Sequence, residues 1–132
     1  MKTLTLLFVY SVFATGCADL EVTLLTSPAP GQVADIDQEA GTISLSRGSA
    51  GAFECTDDRG RACSNLEVIS DDEAIVATYR AHAEGLVSYY TSGDRGQSGR
   101  SAFLLVGTGP GKTSLEVIGG GESRDFTVLV VE

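Results

Sequence analysis

Apolar residues recur along this chain in short runs separated by turn formers. Thr42–Ser46 places Ile43 and Leu45 on one face, the period-two pattern of a half-buried strand. Leu20–Thr26, Ala52–Thr56, Asn65–Ile69, Leu86–Thr91, Ala102–Val106 and Thr113–Ile118 are further extended runs, and Ile75–Tyr79 is β-branched and aromatic, which suits a pleated surface. In Arg124–Val131, Phe126, Val128 and Val130 share one face while Leu129 and Val131 share the other. That double apolar face points to a strand covered on both sides or lying along another sheet. Between the runs stand Ser27-Pro28-Ala29-Pro30-Gly31, Asp57-Asp58-Arg59-Gly60, Ser70-Asp71-Asp72-Glu73 and the glycine-rich Ser92–Ser101. No long helical period appears. A short helix over Asp71–Ala83 is disfavoured by Ile75-Val76 and Thr78-Tyr79, whose stiff side chains crowd a helix. About seven to nine short strands with turns between them predict an all-β sandwich or barrel.

The N-terminus changes the picture. Lys2 precedes the uncharged run Thr3–Ala14, which is too short for a membrane span of about 20 residues and fits a signal peptide. The run closes with Ala14-Thr15-Gly16-Cys17, which resembles the lipobox of bacterial lipoproteins. The resemblance implies that residues 1–16, a signal-peptide helix, are removed and that Cys17 carries acyl chains. Ala14 departs from that family's usual Leu. Ordinary signal cleavage near Gly16 or Ala18, leaving a soluble secreted protein, stays open as the other outcome. Several acyl chains on one residue give lasting attachment where one gives only marginal binding. By the same resemblance Ala18, where retained lipoproteins often carry Asp, implies the outer membrane.

Removing that segment leaves enough chain for one domain with a real core. The full chain of 132 residues has a formal net charge of −9, and the removed part carries Lys2 and no acid. An acidic surface repels phosphate backbones and anionic headgroups, so nucleic acid is excluded as a partner and any membrane attachment has to come from the covalent anchor. There are three cysteines, an odd count for an exported protein. With Cys17 lipidated, Cys55 and Cys63 remain as a pair, and an oxidising compartment favours a disulfide that staples a hairpin between Ala52–Thr56 and Asn65–Ile69. A zinc site would need further ligands, and a redox pair is more often Cys-x-x-Cys.

Candidate chemistry adds little. Gly109-Pro110-Gly111-Lys112-Thr113 looks like a phosphate loop, but the first glycine that motif needs falls on Val106, and Pro110 removes a backbone donor. His82 is the sole histidine, and Gly96-Gln97-Ser98-Gly99 brings its second glycine one residue too early for a nucleophile elbow. Asp35, Asp37, Asp57, Asp58, Asp71, Asp72 and Glu73 offer oxygens for calcium but follow no EF-hand spacing, and Asp is common in turns. Tyr79, Tyr89 and Tyr90, with Leu86 and Val87, are either half-buried strand aromatics or the lining of a ligand surface. No catalytic residue, metal or cofactor is predicted.

Two stretches of the second half resemble bacterial immunoglobulin-like domains of group 2, the invasin and intimin type. They are Ser70–Tyr79, where Val76-Ala77-Thr78 matches best, and Val106–Val117, a glycine turn followed by an alternating strand. Phe126–Val131 stands in the place of that family's last strand. Family members often carry a Trp near the Ile69 position, and this chain has none. The resemblance implies an immunoglobulin-like sandwich acting as a structural or adhesion module. The domain reading is therefore a signal peptide over 1–16, a lipidated N-terminus and tether over 17–41, and a sandwich over 42–132. Leu20–Thr26 counts either with the tether or with the sandwich. The functional reading is a non-enzymatic, lipid-anchored envelope protein that contacts polysaccharide, another envelope protein or a surface layer, with the Arg80–Ser101 loop as contact surface. The alternative is a periplasmic or secreted inhibitor or small hydrolase.

Overall fold

The computed structural model describes residues 20–82 and 101–132, without the side chains of His82 and Ser101. The signal segment, Cys17, the Leu86–Thr91 run, Tyr89, Tyr90 and most of the Arg80–Ser101 loop lie outside the described residues. Nine strands follow in order: β1 Glu21–Leu24, β2 Ala34–Asp37, β3 Thr42–Ser46, β4 Ala50–Thr56, β5 Glu67–Ser70, β6 Val76–His82, β7 Ser101–Gly107, β8 Gly111–Gly119 and β9 Glu122–Val131. They form two sheets, β1-β4-β7-β6 and β2-β3-β9-β8-β5. All pairings are antiparallel except β3 with β9, which is parallel, Ile43 opposite Val128.

The strand order is that of an immunoglobulin-like sandwich: β1-β4-β7-β6 corresponds to A-B-E-D, and β9-β8-β5 to G-F-C. Alternation decides what faces inward. Ile43 and Leu45 are fully buried, and so are Leu115 and Val117 of β8. Phe53 and Phe103 sit opposite each other on β4 and β7, and their rings stack with centroids 5.6 Å apart. A cross-strand aromatic pair of this kind contributes about 0.5–1.5 kcal/mol beyond its buried area.

Three expectations change. First, of the two placements open for Leu20–Thr26 the sandwich is the one adopted, and residues 34–37 join it as a strand instead of serving as tether. Leu20 and Val22 are at most 2% exposed, and β2 adds a strand beside β3. The alternation Ala34-Asp35-Ile36-Asp37 carried the signal for β2, in a stretch dominated by turn formers. Second, β4 and β5 do not form a hairpin. β4 pairs with β1 and β7, while β5 pairs with β8 in the opposite sheet. Third, β9 is covered on one face only. Phe126, Val128 and Val130 are buried, whereas Leu129 and Val131 are 37% and 46% exposed.

Register sorts every connection to one of two poles. Glu21 faces Thr56, Glu54 faces Ala102 and His82 faces Ser101, so these ends share one pole with the β8–β9 turn. The opposite pole holds the ends of β1, β3, β7 and β9 and the starts of β4, β6 and β8.

Candidate functional site at the disulfide pole

Cys55 ends the buried part of β4, and Cys63 lies eight residues on; a disulfide joins them with Cα atoms 5.5 Å apart. The loop between them closes on itself. Thr56 bridges Ala62, the Asp57 N–H donates to the Arg61 carbonyl at 2.7 Å, and the Cys63 N–H donates to the Cys55 carbonyl at 3.1 Å. Gly60 takes a positive φ of 73° at the tip, where a side chain would be strained. The staple therefore holds a small turn on the path from one sheet to the other.

Asp57 organises that turn. One carboxylate oxygen accepts the Arg61 N–H at 2.8 Å and the Arg59 N–H at 2.9 Å, and the other accepts the Arg61 Nε–H at 3.0 Å. The Arg61 backbone N–H, with that of Arg59 and the Arg61 side chain, holds the Asp57 carboxyl below its ordinary value of 3.8. Its lone pairs are spent inside the loop, so it acts as a turn acid.

The disulfide packs against β8. A Cβ on Gly119 would lie 2.6 Å from the Cys63 Cβ, so only glycine allows this approach. The Gly120 N–H donates to the Ser64 carbonyl at 2.8 Å, tying the loop to the β8–β9 turn. Between them opens a shallow cavity of about 500 Å³, lined by Leu20, Asp57, Asp58, Arg61, Gly119 and Glu122 among others. Beside it, Arg124 lies over the Phe126 ring at 4.8 Å and donates to the Leu20 carbonyl at 3.1 Å, to Gln38 Oε1 at 2.8 Å and to the Gln38 carbonyl. It clamps the incoming chain and the β2–β3 turn to the sandwich. No local pattern marks this clamp, since a lone arginine at a strand start looks solvated.

The other candidates stay apart. Thr108 and Gly109 spend their N–H groups on the Ile75 carbonyl, at 2.9 and 3.3 Å, and a Cβ on Gly109 would meet the Ala74 carbonyl oxygen at 2.5 Å. The glycine stretch is thus a strand-connecting turn at the far pole, without free donors for a phosphate at those two positions. Asp72 accepts the Ala74 N–H and Asp37 the Ala40 N–H, both at 3.0 Å, as turn acids do. No group of three His, Cys, Asp or Glu residues placed to hold a metal occurs among the described residues. Tyr79 is 56% exposed and lines a second hollow of about 200 Å³ with Leu66, Val68 and Arg80.

No family model matches the chain, and no curated protein matches it. Among solved structures it is similar to domains 4 and 5 of the S-layer protein SbsC, at 19% identity and a TM-score of 0.46 over 80% of this chain and 54% of that one. Domains 5–6 of the same protein give 21% identity and a TM-score of 0.48, over 76% of this chain and 45% of theirs. The chain thus spans about half of the first of these structures and less of the second. A likeness this partial says nothing of what the chain binds.

Proposed function

We propose that this chain is an exported, non-enzymatic cell-envelope protein, anchored through acyl chains on Cys17, whose immunoglobulin-like sandwich is a structural or recognition module of the group 2 kind. The observation that carries the reading is the Cys55–Cys63 bond. It uses two of the three cysteines and leaves Cys17, in its lipobox-like setting, as the odd one. A chain with net charge −9 has no electrostatic attraction to an anionic membrane, so the anchor is what holds it there. By the resemblance to lipoproteins, Ala18 favours the outer membrane. Metabolic labelling with a tagged fatty acid tests the anchor: wild type takes up label and Cys17→Ser does not. Equal labelling defeats the reading. Affinity capture with cross-linking from the native envelope identifies the partner, for which polysaccharide and envelope proteins are the expected classes.

The inhibitor alternative rests on the Cys55–Cys63 loop, which is stapled, self-bonded and presents an exposed Arg59. Assay of the released protein against trypsin-like proteases decides it. The hydrolase alternative would need a nucleophile and a base brought together, for which the sequence offers His82 as its sole histidine.

A further inference from the structure

We propose that an acylated Cys17 stands the sandwich on its disulfide pole, with the Cys55–Cys63 loop and the β8–β9 turn facing the lipid headgroups and the opposite pole facing away. This inference rests on the anchor reading above. Leu20 is 2% exposed, and Arg124 grips its carbonyl at 3.1 Å. Only three residue steps separate that fixed point from Cys17, which bounds the reach at roughly 11 Å in full extension. No slack remains for the domain to turn over. The pole that holds Leu20 also holds Thr56, Gly120 and Glu122, so these residues lie at the bilayer side. The ten residues of β9 span roughly 33 Å from this pole to the other.

Charge does not draw the domain down onto the bilayer. The bilayer-side pole exposes Glu21, Asp58, Glu122 and Asp125 together with Arg59 and Arg61, so acids outnumber bases there, and the chain as a whole carries −9. Anionic headgroups therefore attract neither this pole nor the chain overall. The connection between β6 and β7 leaves at His82 and returns at Ser101, both at the bilayer-side pole. The opposite pole, made of the turns 25–33, 47–49, 71–75 and 108–110, then faces the surrounding envelope.

Lysine content makes the orientation measurable. Lys112 is the only lysine after Lys2, it is exposed, and it starts β8 at the far pole opposite Leu129. With the N-terminal amine acylated, an amine-reactive donor dye labels Lys112 alone. The double variant Arg59→Lys/Lys112→Arg moves the single lysine to the exposed tip of the disulfide loop. Each purified lipoprotein is labelled in detergent and reconstituted into vesicles of phosphatidylethanolamine and phosphatidylglycerol bearing headgroup acceptor dye, and flotation confirms anchoring. The donor at position 59 is expected to transfer at least about twofold more than the donor at 112, given a separation of roughly 25 Å along β8. Anchored protein with equal or reversed transfer overturns the orientation while leaving the anchor intact. Protein that fails to float, as Cys17→Ser is expected to, overturns the anchor and the orientation together.

Discussion

Gly119 shows how much one missing side chain decides. Its buried position against the disulfide leaves a new Cβ 2.6 Å from Cys63 Cβ and 3.3 Å from its sulfur, and a cross-linked cysteine cannot swing away. Gly119→Ala is expected to lower stability by about 1–3 kcal/mol in urea unfolding, the usual cost of overpacking. An unchanged midpoint would show that the loop gives way. Asp57 carries a pH signature instead. Its folded pKa lies below 3.8, so its contribution to stability is present above that value and disappears as pH falls through the folded pKa. An NMR titration is expected to place its midpoint below 3.8, and a midpoint at or above that value contradicts the three-donor geometry. Neither role shows in the sequence. Gly119 is one of sixteen glycines, and Asp57-Asp58-Arg59-Gly60 announces a turn without saying which acid closes it.

At the scale of elements, the alternation in β3, β8 and β9 marks their inward faces directly, because strand side chains have a period of two. Pairing partners are another matter. The cysteine spacing showed a stapled loop, but β4 and β5 belong to different sheets, so the staple holds a crossing and not a hairpin. Replacing both cysteines by alanine is expected to cost about 2–3 kcal/mol, from the freedom regained by a short unfolded loop. Chemical unfolding of the pair variant measures it. A loss well beyond that range would mean that the bond also secures the packing of Gly119. β2 escaped notice because four alternating residues amid turn formers give a weak signal until β3 supplies a partner.

For the whole molecule, the consequential feature is that the first described residues already belong to the core. Leu20 and Val22 are core residues of the sandwich, which decides between the two placements that the sequence leaves open for Leu20–Thr26. Leu20→Ala is expected to destabilise by about 2–5 kcal/mol in thermal or urea unfolding, as core truncations do. A loss under half a kilocalorie would restore the tether. Under the proposed acylation of Cys17, the same burial limits the slack between anchor and domain, which is what would turn an attachment point into an orientation.

The sequence by itself determined the all-β class, most strand positions, the acidic surface and the lipobox-like site, because these follow from local period, charge count and residue order. Tertiary structure alone decided which strands share a sheet, that β3 runs parallel to β9, that Arg124 clamps Leu20 and Gln38, and that the disulfide loop and Leu20 share one pole. Those facts depend on contacts between residues distant in the chain. Such contacts form only when two faces bury each other, and no window of neighbouring residues contains that information.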